Sequence, residues 1–345
     1  MGTNDSAPRA PEIVRIPFDE LDREFRRVLV KNGFDPGKAE ICAGIFAENT
    51  LVGVNSHGIN RFARFIQYVK DGLVKPEAEP LMKNKAGAIE QWDGCLGPGP
   101  LNALHCTRRG MAIARESGIG CVTLSNSNHW MRGGYFGWEA AKAGFVFIGW
   151  TNTIANMPAW GAVDRRLGNN PFVLAVPFEK EAVVLDIAMS QFSYGVIESH
   201  ELRGKQLPFP GGYDQSGRLT TDPSQILQSG RLLPIGYWKG SGLAILLDII
   251  AAVLSGGEST HNISKRHAET AISQVFILFD PSKFGEGSSI ASAIKTIIED
   301  LHESSAAADT KEVLYPGERL TRTRLDNLAS GIPVDRSIWE EVKSL

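Results

Sequence analysis

Apolar residues at Phe18, Leu21, Phe25, Val28 and Leu29 recur at the three- and four-residue spacing of an amphipathic helix, which Gly33 ends. Asp35-Pro36 opens a second helix, through about Val52. The carboxylate caps free N–H groups, and the proline sits in the first turn, where no N–H is needed. Ser56 reads as the N-cap of a third helix, with Phe62, Phe65, Ile66 and Val69 as its apolar face and an end near Gly72. Three consecutive helices make an all-α opening unit. Residues 1–15 ahead of it are expected to be a disordered tail, because the first ten are small, polar and Pro-containing.

From Gly87 the pattern changes. Residues 93–100 form a turn cluster, and 101–117 then read as a helix. Short apolar runs at 122–124, 145–150, 172–177, 183–187 and 274–280 predict strands, with a short helix beginning near Tyr135. Residues 202–237 are rich in Pro and Gly and lack periodicity, as functional lids and interface arms do. Residues 243–254 are apolar all round, which predicts a helix buried inside a domain. Helical spacing returns at 290–301, 322–329 and 337–342, so the two helical ends are expected to pack together around the central unit.

Composition narrows the class. The 345 residues can bury a large core and make two domains. A net charge of -3 gives no basic field, which argues against nucleic acid as a partner. Cys42, Cys95, Cys106 and Cys121 lie in apolar or small segments without a CxxC pair. They read as reduced thiols of a cytoplasmic protein, neither a disulfide frame nor a zinc site. With no leader-like h-region and no long uncharged apolar run, neither secretion nor a membrane span is expected. The seven histidines form no compact metal pattern, so no metal is expected.

Candidate chemistry starts at His57. In the first turn of a helix it would feel the positive end of the helix dipole, which disfavours imidazolium and makes the ring a readier proton donor. Arg61, four residues on, would share its face and supply a fork for a carboxylate. A lone histidine near a helix start is more often a cap or a solvated surface residue, and arginines on exposed helix faces are commonplace. A second cluster, Ser127-Asn128-His129-Trp130-Met131-Arg132-Gly133-Gly134, follows a strand and precedes a helix. It could be a ligand loop or a glycine turn with a structural histidine. Lys239-Gly240-Ser241-Gly242 runs into the apolar helix and could cradle a pyrophosphate, although a plain tight turn explains it as well. It is not the GxGxxG fingerprint, since Ile245 stands where the last glycine belongs. Asp186 ends the apolar run 183–185 and needs a partner, a catalytic histidine or a backbone donor.

Together these segments resemble the type 2 malate/L-lactate dehydrogenase family, a non-Rossmann group of nicotinamide-dependent 2-oxo acid reductases. The resemblance runs from about Ile16 onward. It rests on Ser56-His57-Gly58, Asn128-His129, Leu167-Gly168-Asn169-Asn170-Pro171, Leu185-Asp186 and Lys239-Gly240 in that order. Asn60-Arg61-Phe62, residues 87–93, 128–134, Phe192-Ser193-Tyr194-Gly195 and 236–242 are similar to a branch that reduces 2-oxo sugar acids. One departure is Asn169, where the family usually has threonine.

The resemblance implies an α+β fold: a central mixed, mainly antiparallel sheet with helices, plus a helical domain made by both ends of the chain. The boundaries would be 16–75 with 286–345 for the helical domain and 76–285 for the cofactor-binding sheet domain. It also implies a homodimer. His57 would be the proton donor, and Arg61 and His129 would line the substrate site. Beside what the resemblance implies, Arg132 is expected to help Arg61 hold the substrate carboxylate and Asp186 to stabilise the protonated histidine. Ala182, Val183, Val184, Leu185, Asp186, Ile187 and Ala188, then Trp238 and Lys239, then Gly317, Glu318 and Arg319 would meet the cofactor. That cofactor is expected to be NADH (NAD), with NADP open. A reductase of oxaloacetate, pyruvate or a ureido acid, or a non-catalytic sugar-acid binding protein, are the alternatives.

Overall fold

The helical opening follows the apolar spacing, with one correction at its third helix. In a computed structural model describing residues 12–285, 287–308, 310 and 312–345, the first helix, Phe18–Lys31, buries Leu21, Phe25, Val28 and Leu29. The second, Pro36–Leu51, is capped by Asp35, whose carboxylate accepts from the N–H groups of Gly37 at 2.9 Å and Lys38 at 3.4 Å. The third begins at Ile59 rather than at Ser56. Asn55–His57 is a single 3-10 turn, and Gly58 stands at the N-cap without a side-chain cap of its own. The cap comes from the second helix: Thr50 Oγ1 accepts the Ile59 N–H at 3.0 Å while donating to Phe46 O at 2.8 Å. A side chain distant in sequence satisfies the orphan donor that Ser56 was expected to take.

Both chain ends join this unit. Ile13–Ile16 pairs antiparallel with Ile332–Asp335. Trp339 and Val342, from the helix Arg336–Ser344, share a core with Phe25, Phe46 and Phe62. Residues 1–11 of the expected tail lie outside the described residues, whereas Ile13, Val14 and Arg15 are strand. The helix Gly287–His302 lies against the Phe172–Phe178 strand of the central sheet.

The central sheet has seven strands in the spatial order Leu81–Ala86, Ile89–Asp93, Ile119–Ser127, Ile272–Phe279, Val146–Thr151, Phe172–Phe178 and Glu181–Ile187. Only Ile89–Asp93 and Ile119–Ser127 run parallel; the other neighbours are antiparallel. The sheet is therefore mixed and mainly antiparallel, without the successive parallel crossovers of a Rossmann domain. Helices Gly99–Ser117 and Gly133–Lys142 cover one face through Ala103, Ala140 and Phe136, which meet Val122, Phe147 and Phe276. Trp238–Ser255 covers the other through Ala244, Leu247 and Ala251.

Two readings of the later chain change. Residues 202–237 hold a short hairpin, Gly212–Tyr213 with Leu219–Thr220, and a helix, Pro223–Ser229, capped by Asp222. The helix Trp238–Ser255 is not buried all round. Leu246 is 54% exposed and Val253 70%, so an apolar face remains uncovered in the single chain. By length and apolarity this helix could cross a membrane, but its other face is sheet core. Its Asp248 also takes hydrogen bonds from Asn152 Nδ2 at 2.9 Å and Thr260 N–H at 2.8 Å.

Candidate active site

The 3-10 turn puts His57 between the second and third helices. Asn49, fully buried, donates from Nδ2 to His57 O at 3.1 Å, and Ser56 Oγ lies 3.0 Å from His57 Nδ1. His129 arrives from the loop after the Ile119–Ser127 strand. Its neighbour Asn128 anchors that loop by reaching three carbonyls, Leu73, Leu96 and Gly97, at 3.1, 2.9 and 3.1 Å. The Met131 N–H donates to His129 Nδ1 at 2.9 Å. Nδ1 is thus the acceptor, and the neutral ring carries its proton on Nε2. The two imidazoles stack with centroids 5.7 Å apart and planes 21° from parallel.

Burial, not the helix dipole, is the main force on these rings. His57 lies ahead of the α-helix that holds Arg61, so the expected shared helical face is not what pairs them. Burial pushes the His57 pKa below its ordinary 6.5; Arg61 and Arg132 push the same way, and Asp186 opposes them. His129 is held well below 6.5 by burial first, then by Arg61, His57 and Arg64. Burial also lowers the Arg61 pKa, with Arg64 adding to it and Glu269 opposing.

Arg132 and Asp186 form a second pair beside the histidines. Arg132 is only 4% exposed, and its Nε stands 4.0 Å from Asp186 Oδ2. That oxygen also accepts the Gly134 N–H at 2.7 Å. A Cβ at Gly134 would come within 2.8 Å of it, so a glycine is what lets the helix start reach the carboxylate. His57, Arg61, His129, Arg132 and Asp186 are therefore brought to one site.

The expected cofactor segments gather at the sheet edge. Residues 182–188 coincide largely with the edge strand Glu181–Ile187, which buries Ala182 and Val184 against the helices. Its free side receives another loop, since the Val184 N–H donates to Pro316 O at 2.8 Å. Gly317, at φ 96°, lies so close that a Cβ would sit 3.2 Å from the Val184 backbone. Glu318 is held by His302 Nε2 at 2.9 Å, by the Tyr315 N–H at 3.2 Å and by Arg322, while Arg319 is exposed.

Trp238 and Lys239 open the apolar helix, with Trp238 64% exposed. The N–H groups of Lys239, Gly240 and Ser241 donate to Gly236, Ile235 and Tyr237 carbonyls. The glycine turn is a tight turn, and those amides are not a pyrophosphate cradle. The turn is tethered to the same edge strand, because Ile235 N–H donates at 2.8 Å to Met189 O, just past the strand's end.

A cleft bounded by Glu48, Val52, Arg132, Trp138, Glu181 and Arg324 adjoins this edge. Arg132 Nη2, Trp138 Nε1 and Glu181 Oε2 are buried there without a partner. Unpaired buried polar atoms are costly, so the cleft suits a ligand with hydrogen-bonding groups. Asn49 and Thr50 are residues that sequence reasoning missed. For both the signal was available, namely polar side chains at buried positions of an otherwise small and apolar helix.

The sequence profile described as malate/L-lactate dehydrogenase matches residues 16–343. The chain belongs to the malate/L-lactate dehydrogenase family. As a member it is an oxidoreductase acting on CH–OH groups. It is 41% identical over 333 residues to the 2,3-diketo-L-gulonate reductase of Escherichia coli O127:H6, covering 96% of this chain and 100% of that one. Among solved structures, sulfolactate dehydrogenase from Methanocaldococcus jannaschii superimposes with a TM-score of 0.87 at 26% identity, covering 96% of each chain. Malate dehydrogenase from Entamoeba histolytica shares the fold with a TM-score of 0.91 at 23% identity, covering 96% of this chain and 97% of that one.

Proposed function

We propose that this family member reduces the ketone of a 2-oxo sugar acid, with 2,3-diketo-L-gulonate the first candidate, using NADH. The observation that carries the reading is the stacked His57–His129 pair flanked by Arg61 and by the Arg132–Asp186 pair. The identity to a 2,3-diketo-L-gulonate reductase supports the choice of substrate.

The residues present fit a nicotinamide cofactor. Arg132 Nη2 and Trp138 Nε1 are unpaired buried donors in the cleft that adjoins the edge strand. Residues 182–188, Trp238, Lys239 and 317–319 would hold it. When bound, the reduced nicotinamide supplies a hydride to the substrate carbonyl carbon. Arg61 binds the substrate carboxylate and fixes which carbonyl is presented. His57 Nε2 gives a proton to the oxygen as charge develops there, while Ser56 Oγ holds the other ring nitrogen. His129 Nε2–H donates to the substrate from the facing ring. Asp186 faces the positive charge of the protonated His57.

The pH dependence follows from that last contact. Reduction needs protonated His57, so kcat/KM for reduction falls as pH rises through the lowered pKa. Asp186 is the group that raises this pKa, and Asp186→Asn lowers it further. The variant should lose reductive activity at lower pH than the wild type, measured as a pH profile of kcat/KM. An unmoved profile would remove Asp186 from this role.

The uncovered face of Trp238–Ser255, including Leu246, Ile249 and Val253, is the surface we assign to a second copy of the chain, giving a homodimer. Val253→Asp should halve the mass measured by light scattering, and a mass equal to one chain in the wild type would refute the assignment. The direct test of the activity is loss of NADH absorbance with 2,3-diketo-L-gulonate, beside NADPH, pyruvate and oxaloacetate. Turnover restricted to a simple 2-oxo acid would discard the sugar-acid substrate; turnover with none would discard the reductase reading.

A further inference from the structure

The two stacked histidines differ in what stands behind each ring. His57 Nδ1 lies 3.0 Å from Ser56 Oγ, a hydroxyl that can either donate or accept. That oxygen can take the Nδ1–H of a charged ring, and also of the neutral ring left once Nε2 has given up its proton. His129 Nδ1 lies 2.9 Å from the Met131 N–H, a group that can only donate. A proton on that nitrogen would set two N–H groups head to head, and a charged His129 would leave both without an acceptor.

The backbone is held in this arrangement from two sides. Met131 adopts φ 66°, a left-handed conformation uncommon for a residue with a side chain. The turn sends Trp130 into the core between the sheet and its covering helices, and Met131 into the core of the opening helices. Asn128 fixes the other flank of the loop through the Leu73, Leu96 and Gly97 carbonyls. The loop is thereby pinned with its Met131 N–H on the ring. Charge acts in the same sense: burial opposes a positive His129 first, and Arg61, His57 and Arg64 add to it. With His57 protonated for reaction, a second imidazolium would stand 5.7 Å from it.

We infer that His129 is a catalytic residue of fixed neutral charge, whose Nε2–H polarises the ketone while His57 alone gives the proton. This is more than the substrate contact that the resemblance implies, and it rests on the reading of the site as a 2-oxo acid reductase. The carbonyl carbon gains the hydride of the reduced nicotinamide, the C–O π pair moves to oxygen, and that oxygen takes the proton of His57 Nε2. His57 ends neutral, with its remaining proton on Nδ1 toward Ser56 Oγ. His129 keeps its single proton on Nε2 throughout and holds the oxygen before and after the transfer.

Tautomer and kinetics are measured together on the full-length enzyme. With isotope-labelled histidine, long-range proton–nitrogen NMR identifies His129 by the signal lost in His129→Gln. That ring should stay in the neutral Nε2–H form from about pH 8 to about pH 5, while His57 gains its charge as the pH falls. His129→Ala should lower kcat for 2,3-diketo-L-gulonate by about 10²- to 10³-fold, as loss of one preorganised donor does. His129→Gln restores an N–H donor that cannot be protonated. It should recover part of that loss and leave the alkaline fall of kcat/KM where it lies in the wild type. In an active enzyme, three results would each overturn the inference: an imidazolium signal from His129 in that range, a Gln variant no more active than Ala, or an alkaline limb that vanishes in His129→Gln. The last would make His129 the acid. A wild type that reduces no 2-oxo acid would instead remove the reductase reading, and the catalytic role with it.

Discussion

His57→Ala should lower kcat for the reduction by about 10²- to 10⁴-fold, the range spanned by a positioned general acid, with KM changed little. The ring is held by its surroundings more than by its own side-chain contacts. Asn49 binds the His57 carbonyl, Thr50 caps the helix that follows, and Ser56 Oγ meets Nδ1. Removing the imidazole therefore leaves the turn in place, so the loss reads chemistry rather than folding. Stopped-flow measurement of a single turnover, with circular dichroism as the control on folding, checks it. Near-normal turnover would show that another group delivers the proton.

Arg61→Ala should lower kcat/KM by about 100- to 1000-fold, through a raised KM and a reduced kcat together. Removing one partner of a buried, hydrogen-bonded charge pair costs about 2–5 kcal/mol, and here the orphaned partner would be the substrate carboxylate. The effect on kcat arises because the clamp also orients the ketone toward His57. Arg61→Lys keeps the charge without the planar fork and should recover only part of the loss. If both variants kept wild-type kinetics, the carboxylate would have to be held elsewhere, with Arg132 the next residue to test.

The parts of this molecule legible in the sequence are those whose apolar spacing is long enough to repeat. Phe18–Lys31, Pro36–Leu51 and Gly99–Ser117 each present whole helical turns, and their ends carry recognisable capping and glycine signals. Leu81–Ala86 escaped because all six of its residues are exposed, so no alternation marks it. Glu181–Ile187 reads as a strand, but nothing local reveals that its free edge receives Pro316 and Gly317 from the far end of the chain. Ser56 has the right chemistry for a cap and lost the place to Thr50, because caps can be supplied through space. His57, Arg61, His129 and Arg132 were visible as residue types in polar clusters, and the family resemblance ordered them.

The antiparallel pairing of Ile13–Ile16 with Ile332–Asp335 has a consequence for biosynthesis. The helices that frame His57 share their core with Trp339 and Val342. Asn327 Nδ2 also binds Leu51 O at 2.7 Å, beside the residues that shape the His57 turn. While the protein is being translated, those opening helices must wait for partners that emerge only after the entire central sheet. At about 5–20 residues per second that interval is on the order of tens of seconds. The apolar positions that Trp339 and Val342 cover therefore stay open until residues 332–342 leave the exit tunnel.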